Sequence, residues 1–148
     1  DPPQAVLLGF KKRGFGAGKF AGIGGGLEPG ETPSGAALRE LYEETTVQAL
    51  EEDLHFRGCL TFHFPYRPEW SQVVYVFRLS RWRGSPQETG EMRPAWFSIQ
   101  DLPLDQMWQD NAIWLPRLLS GRPVTARFTF AADNETVTDY HFEQQEYI

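Results

Sequence analysis

The chain has 148 residues and a formal net charge of −6, from 14 Lys and Arg against 20 Asp and Glu. Hydrophobic residues make up 41% and aromatic residues 14%, which supplies enough apolar material for a folded core and excludes disorder as the default. The longest apolar runs, such as residues 5–8 and 73–77, are far shorter than the roughly 20 residues that span a bilayer, so we expect no membrane partner. We predict a single domain over residues 1–148.

Charge and cysteine content limit the partners and the compartment. Binding to the nucleic-acid backbone requires clustered Lys and Arg, so this acidic chain predicts no nucleic-acid polymer as partner. The single cysteine, Cys59, excludes an intramolecular disulfide and favours a reducing, cytoplasmic setting. We also expect a monomer in which any anionic ligand is held by local groups.

The predicted elements are mostly strands with two helices among them. A buried strand over residues 5–10 precedes a glycine-rich loop over residues 14–30, and residues 32–34 provide the capping chemistry that starts a helix over residues 35–45. The later elements are strands at 60–64, 73–79 and 95–98, a helix at 110–120 interrupted by Pro116, and a hairpin of 127–130 with 136–142 that turns at Asp133 and Asn134. This order favours a mixed sheet flanked by a few helices over an evenly alternating, doubly wound sheet.

Three glutamates on the first predicted helix carry the strongest chemical signal. Glu40, Glu43 and Glu44 lie at positions i, i+3 and i+4, so their carboxylates share one helix face. Like charges at this spacing destabilise a helix by about 0.2–0.5 kcal/mol per pair, whereas a hard divalent cation such as Mg²⁺ prefers clustered carboxylate oxygens. Arg39 lies four residues before Glu43 and can offset part of the repulsion or orient a carboxylate. The alternative is a solvated acidic face without a ligand.

The glycine-rich loop before this helix points to phosphate. Gly22, Gly24, Gly25 and Gly26 let backbone N–H and carbonyl groups approach a phosphate or a metal ion closely. A loop that is merely flexible is the alternative. Together with the carboxylate face, the loop predicts a site for phosphate and Mg²⁺.

The same segment resembles the Nudix box, the signature of the Nudix hydrolase family. In words, that pattern is Gly, five residues, Glu, seven residues, Arg-Glu, an aliphatic residue, any residue, Glu-Glu, any residue, Gly and an aliphatic residue. Here Gly25 and Glu31 are followed by Arg39-Glu40-Leu41-Tyr42-Glu43-Glu44-Thr45-Thr46-Val47, with every spacing kept. One position departs, because Thr46 stands where the family has its second glycine, at the left-handed exit of the helix. The resemblance implies the α/β fold of that family, an α/β/α sandwich with a mixed β-sheet between helices.

Further segments resemble the MutT-related animal branch of the family, which removes oxidised purine nucleotides. These segments are residues 6–9, 11–18, 90–97 and 107–108. The resemblance implies a first strand before residue 1, which this sequence lacks. It also implies hydrolysis of a nucleoside triphosphate to the monophosphate and pyrophosphate with Mg²⁺, for which Mn²⁺ is an alternative.

The resemblance also assigns roles to individual residues. The implied metal ligands are the Gly24 carbonyl, Glu40, Glu43, Glu44 and Glu91. The catalytic set is Glu40, Glu44 and Glu91, with Arg39 orienting the carboxylates; Glu91 is a further metal contact or the general base, and its alternative is an exposed loop acid. The expected substrate contacts are Lys11 at the triphosphate, with Phe15, Ala21, Gly25, Phe62, Phe64, Trp108, Asp110, Asn111 and Trp114 around the nucleotide.

Two positions of the expected base pocket differ from that branch of the family. Ala21 stands where the branch has Asn, and Asn111 replaces the second of two adjacent Asp residues. We therefore predict a purine nucleoside triphosphatase with broader selectivity than an oxidised-guanine specialist. The alternatives are a Nudix hydrolase of nucleoside diphosphate sugars or dinucleoside polyphosphates, and a noncatalytic module that senses nucleotides.

Overall fold

The computed structural model describes residues 3–143, over which seven strands and two helices form a mixed α/β fold. In chain order these elements are β1 (Ala5–Lys11), β2 (Phe20–Ala21), α1 (Pro33–Thr45), β3 (Leu54–His63), β4 (Gln72–Leu79), β5 (Met92–Ser98), α2 (Asn111–Leu119), β6 (Val124–Phe130) and β7 (Val137–Phe142). The mixed α/β class expected from the sequence is confirmed. The strands are divided between two sheets, in the orders β2-β1-β5 and β4-β3-β6-β7, where the sequence analysis expected one mixed sheet. Neither helix in the described range is long and apolar enough to cross a membrane.

Residues 3–55 and 77–108 form one compact unit. Its sheet is antiparallel, with β1 in the centre and Lys11 opposite Met92 at one end of the pairing with β5. Helix α1 packs against β5. This packing brings Glu91, which directly precedes β5, close to the helix that carries the glutamates. The core of the unit consists of Leu8, Phe20, Ala36, Val47, Met92 and Met107.

Residues 56–76 and 109–143 form a second compact unit, built on β6. Strand β6 pairs in parallel with β3 and antiparallel with β7, and α2 packs against it. At Gly58 a Cβ would lie 1.6 Å from the Val124 carbonyl oxygen, so only glycine permits the close approach of β3 and β6. Alternate residues of β6 are buried, as a half-covered sheet requires. The core comprises Leu60, Phe64, Trp114, Leu115, Val124, Ala126, Phe128 and Phe130.

Helix α1 has a well-defined start and end. The Thr32 hydroxyl oxygen accepts a hydrogen bond from the Gly35 N–H at 3.1 Å, and Pro33 occupies the first helical turn. At the other end Thr46 adopts φ 65° and ψ 1°, and its N–H donates to the Tyr42 carbonyl at 2.8 Å. The left-handed exit of the helix is therefore kept, although a β-branched residue occupies a conformation that favours glycine.

Several elements differ from the sequence expectations, among them β6, which begins at Val124 rather than at residue 127. Strand β5 begins at Met92 rather than at residue 95 and tolerates Pro94, because it is an edge strand of its sheet. Strand β3 begins at Leu54 rather than at residue 60, since Gly58 pairs with β6 instead of breaking the strand. Within the glycine-rich loop, Phe20 and Ala21 form a short strand against β1. Pro116 lies inside α2 without ending it.

Candidate active site

Three carboxylates meet at the C-terminal half of α1. One oxygen from each of Glu40, Glu44 and Glu91 lies within 4.8 Å of the other two. Glu40 and Glu44 are one helical turn apart, and the packing of α1 on β5 supplies Glu91. Carboxylate oxygens at this spacing are the donor set that Mg²⁺ and Mn²⁺ take in proteins. The sequence-predicted residues Glu40, Glu44 and Glu91 are thus brought together.

Glu44 is the buried member of this cluster, with 3% of its surface exposed. Burial raises the pKa of its carboxyl group to about 7, and the neighbouring Glu40 and Glu91 carboxylates act in the same direction. The Gly24 N–H, which donates to Glu44 Oε1 at 3.0 Å, and the Lys11 ammonium oppose the shift in pKa. The negative charge of the cluster is therefore only partly compensated by the protein, which suits a cation.

Arg39 gathers a second set of carboxylates beside the cluster. Its guanidinium donates to both oxygens of Glu31, at 2.7 Å and 3.0 Å, to Glu40 Oε1 at 2.8 Å, and to Glu43 Oε2 at 3.1 Å. The bond from Arg39 lowers the pKa of Glu31, and the same bonds raise the pKa of Arg39. Arg39 therefore fixes the carboxylate of Glu40 from the side. Glu43, predicted as a metal ligand, lies outside the group of three and is held by Arg39.

The glycine-rich loop approaches the cluster along its backbone. The Gly26 carbonyl accepts from Arg39 at 3.0 Å, and Gly24 bonds to Glu44 through its N–H. A Cβ at Gly25 would lie 2.6 Å from Glu40 Cδ, so a side chain at this position would displace the Glu40 carboxylate. A Cβ at Gly26 would meet no atom within 4 Å. The absence of a side chain at Gly25 thus leaves room for the Glu40 carboxylate beside the loop.

Two aromatic residues predicted to contact the nucleotide stack on each other. The rings of Phe15 and Trp108 lie 5.3 Å apart at an interplanar angle of 16°, and the Lys19 ammonium lies 5.0 Å from the Trp108 ring centroid. Phe15 remains 38% exposed. Ala21, in β2, pairs with Gly9 of β1. These contacts place Trp108 in a small aromatic and cationic group.

The other expected base contacts lie in the unit built on β6. Phe64 is 2% exposed and stacks on Phe130 at 4.3 Å, so its ring belongs to the core. Phe62 stacks on Phe128 at 5.8 Å and is half-buried.

Asp110 and Asn111 are buried, at 3% and 5% exposure. The carboxylate of Asp110 accepts from Trp114 Nε1 at 2.7 Å. Burial raises the pKa of Asp110 to about 6, against the lowering effect of that indole bond. Asp110 is thus a buried acid that accepts a hydrogen bond from the Trp114 indole.

Two residues that organise the site, Glu31 and Thr89, have no role predicted from the sequence. Glu31 was recognised as part of the Nudix box, and the structure makes it the two-oxygen partner of Arg39. Thr89 bonds to the backbone of Glu44, Glu91 and Met92. The Nudix box itself signals Glu31, whereas no motif in the sequence marks Thr89, because its partner Glu44 lies 45 positions away in the chain.

The fold and the carboxylate cluster define a mixed α/β protein with an acidic, glycine-lined site. The NUDIX domain family matches residues 1–118. The chain therefore belongs to the Nudix hydrolase family.

Individual relatives agree with this assignment. The oxidized purine nucleoside triphosphate hydrolase of Mus musculus is 39% identical over 142 residues, which cover 96% of this chain and 88% of the mouse protein. The protein of the same name from Danio rerio is 40% identical over 144 residues, covering 97% and 90%. The crystal structure of the MutT protein from Bacillus halodurans superposes with a TM-score of 0.77 at 20% identity, covering 97% of this chain and 92% of that one. At that identity the likeness shows the fold alone.

Proposed function

We propose that this chain hydrolyses purine nucleoside and deoxynucleoside triphosphates, oxidised ones such as 8-oxo-dGTP included, to the monophosphate and pyrophosphate. The observation that carries the proposal is the approach of Glu40, Glu44 and Glu91 to within 4.8 Å beside a glycine-lined loop. The two vertebrate relatives, similar over nearly their whole length, are named for hydrolysis of oxidised purine triphosphates. They support purine triphosphates as the substrate class.

The carboxylates fit a divalent cation, and Mg²⁺ is the ion that we propose, with Mn²⁺ as an alternative. Glu40, Glu44 and Glu91 would hold it, and the absence of a Cβ at Gly25 leaves the space that the Glu40 carboxylate needs. We also propose Glu43 and the Gly24 carbonyl as metal ligands, and metal titration of Glu43→Gln tests the first of these. When bound, the cation supplies positive charge that neutralises phosphate oxygens and makes a water molecule more acidic.

The chain's own residues have distinct parts in this proposal. Arg39 orients the Glu40 carboxylate, since it donates to Glu40 and is itself clamped by Glu31. Lys11 lies close enough to lower the pKa of Glu44, and we propose that its ammonium group meets the negative charge of the triphosphate. Glu91 lies on a separate loop and either contributes an oxygen to the cation or takes the proton from the attacking water. Arg13, 3.5 Å from Glu91 Oε1, partly balances that carboxylate.

The base contacts are proposed from the aromatic and polar residues. Trp108 and Phe15 offer a stacking surface, and stacking of a base is worth about 1–3 kcal/mol. Asp110 and Asn111 are proposed to read the edge of the purine; an acid whose pKa lies near 6 changes between donor and acceptor close to neutral pH. Ala21 offers no side-chain hydrogen bond, so we expect oxidised and ordinary purine triphosphates to differ modestly in kcat/KM.

A substrate panel tests the proposal directly. Pyrophosphate and monophosphate are measured for 8-oxo-dGTP, dGTP, dATP and dCTP, each with Mg²⁺, with Mn²⁺ and with EDTA, in the wild type and in Ala21→Asn. We expect cation-dependent hydrolysis of the purine nucleotides, with a sharper preference among them in Ala21→Asn. A thousandfold preference for 8-oxo-dGTP in the wild type would contradict the broad selectivity, and no activity on any of the four would contradict the substrate class.

The same panel separates the alternatives. Activity confined to ADP-ribose or to diadenosine polyphosphates would identify another Nudix substrate class. Saturable nucleotide binding without any product, unchanged by the cation, would identify a sensing module. Light scattering at increasing protein concentration measures the molar mass and checks the proposed monomer. Fractionation of cells checks the proposed cytoplasmic location.

A further inference from the structure

The turn before β5 is fastened to the end of α1 by hydrogen bonds. The Gln87 N–H donates to the Thr45 carbonyl at 2.9 Å, and the Thr89 hydroxyl donates to the Glu44 carbonyl at 2.9 Å. The Thr89 N–H donates to the Met92 carbonyl at 2.9 Å and closes the turn. The loop that carries Glu91 is thus attached to the helix that carries Glu44.

The hydroxyl group of Thr89 is fully used. A hydroxyl has one donor hydrogen and two acceptor lone pairs. Thr89 Oγ1 donates to the Glu44 carbonyl and accepts from the N–H groups of Glu91 and Met92, each at 3.3 Å. One oxygen therefore bonds to the backbone of two members of the carboxylate cluster, which are 47 positions apart in the sequence (91 − 44).

Apart from the Gln87 bond to the end of α1, the other described bonds of the Glu91 loop lead to Lys12 and Arg13, which directly follow β1. The Lys12 N–H donates to the Glu91 carbonyl at 2.9 Å, and Lys12 Nζ donates to the Thr89 carbonyl at 2.7 Å. Arg13 reaches Glu91 Oε1 at 3.5 Å. These bonds keep the loop folded on the sheet when the Thr89 hydroxyl is removed. They do not connect the backbone of Glu91 with that of Glu44.

We infer that Thr89 is a positioning residue that sets the spacing between Glu91 and Glu44, and through it the affinity of the carboxylate cluster for a divalent cation. The inference rests on the proposed function. Residues that orient metal ligands without touching the metal typically change metal affinity or activity about 10–100-fold when they are replaced. Thr89 acts on the backbone of Glu44 and Glu91, so it occupies none of their carboxylate oxygens.

The test compares Thr89→Val, which keeps the shape and removes the hydroxyl, with Thr89→Ser, which keeps the hydroxyl. Mn²⁺ binding is measured by calorimetry and by the electron paramagnetic resonance of free Mn²⁺, and thermal unfolding shows that each variant is folded. We expect Thr89→Val to bind Mn²⁺ about tenfold more weakly and Thr89→Ser to stay within about twofold of the wild type. The matched control is Thr138→Val, because the Thr138 hydroxyl also donates to a backbone carbonyl, that of Thr129 at 3.2 Å, in the unit built on β6.

A double-mutant cycle shows whether Thr89 acts through Glu91. In the Glu91→Gln background, we expect Thr89→Val to change Mn²⁺ affinity by less than about twofold, because the carboxylate that Thr89 positions is already gone. Equal losses in both backgrounds would overturn the inference, as would wild-type affinity in folded Thr89→Val. If Thr89→Val does not fold, Thr89→Ala replaces it in the same cycle.

The outcome separates this inference from the proposed function. Wild-type protein that binds Mn²⁺ and hydrolyses nucleotides, together with unaffected Thr89→Val, overturns only the role of Thr89. Wild-type protein whose Mn²⁺ binding is absent or is unchanged by Glu44→Gln overturns the proposed metal site and the role of Thr89 with it.

Discussion

Glu44 and Asp110 are both acids with 3% of their surface exposed, yet their surroundings differ. Burial raises the pKa of Glu44 to about 7, and two further carboxylates, Glu40 and Glu91, repel its charge. Burial raises the pKa of Asp110 to about 6, and there the Trp114 indole N–H at 2.7 Å favours the charged form. The two acids are thus equally buried but differ in the charged groups and hydrogen-bond donors around them.

The difference shows what each acid is suited to bind. A proton on Glu44 removes one of three crowded charges, whereas a divalent cation is attracted to all three carboxylates at once. A single proton is sufficient to neutralise the buried charge at Asp110, because repulsion from another carboxylate is not among the causes of its raised pKa. A protonated carboxyl group can donate a hydrogen bond, and an ionised one only accepts. The first environment therefore favours metal chemistry and the second favours hydrogen bonding to a neutral group.

The largest effect is expected from Glu44→Gln, which removes a charge from the cluster and leaves the shape. Hydrolysis should fall at least about 100-fold. Replacing a residue that only hydrogen-bonds to a metal ligand already lowers metal affinity or activity about 10–100-fold, and Glu44 is itself a proposed ligand. Because folding raises the pKa of Glu44 from 4.5 to about 7, the ionised group destabilises the metal-free protein as the pH rises through this range. We expect Glu44→Gln to be more stable than the wild type by about 1–3 kcal/mol at pH 8 and nearly equal at pH 4.

Urea unfolding in EDTA at the two pH values, with kcat/KM measured in Mg²⁺, checks both parts of this prediction. Glu52→Gln is the control, because Glu52 is exposed in a short 3-10 turn and is not a member of the carboxylate cluster. Near-normal hydrolysis by folded Glu44→Gln would contradict the assignment of Glu44 to the metal site. Equal stability of the variant and the wild type at pH 8 would contradict the raised pKa.

The next effect concerns Gly25, where a side chain would meet the Glu40 carboxylate at 2.6 Å. The carboxylate is the far end of a flexible side chain, so it can move aside and the stability of Gly25→Ala should change little. The moved carboxylate no longer faces Glu44 and Glu91, and we expect Mn²⁺ affinity and kcat/KM to fall about 10–100-fold. Gly26→Ala is the matched control, because its Cβ meets nothing within 4 Å. If both variants lose the same activity, the loop and not the carboxylate is responsible.

Asp110→Asn tests the raised pKa of the second buried acid. Folding raises the pKa of Asp110 from 3.8 to about 6, so the wild type loses stability as the pH rises through this range. The amide oxygen of Asn can still accept the Trp114 bond without carrying charge. We expect Asp110→Asn to gain about 1–2 kcal/mol at pH 8 and almost nothing at pH 3, with Asp105→Asn, at an exposed position, unchanged. Unfolding curves that remain parallel in the variant and the wild type from pH 3 to pH 8 would contradict the raised pKa.

Local patterns in the sequence predicted much of the fold and part of the site. The spacing of Glu40 and Glu44 on α1 depends only on helix geometry, and the turn chemistry at Asp133 and Asn134 identified the β6–β7 hairpin. The division of the strands into two sheets was not predicted, because strand partners are chosen by tertiary contacts.

Contacts between distant residues explain the other gaps. Thr89 has no sequence signal, since its partner Glu44 is far away in the chain. Phe64 reads as an aromatic available for stacking, yet Phe130 covers its ring. The sequence does not show which aromatic rings will be covered by a residue of another strand.

The smallest predicted effect is at Thr46, where α1 leaves in the left-handed conformation at φ 65°. This helix end carries Glu44 and Thr45, so its geometry supports the cluster. An L-residue with a branched side chain is strained there, and glycine is not. We expect Thr46→Gly to stabilise the protein by about 0.5–1 kcal/mol, because the relieved strain exceeds the extra entropy of glycine in the unfolded chain. The same change at Thr138, a strand residue outside the positive-φ set, should instead destabilise. Thermal unfolding of both variants at equal protein concentration decides the matter, since a loss of stability in Thr46→Gly would mean that the threonine side chain contributes more by its contacts than it costs in strain.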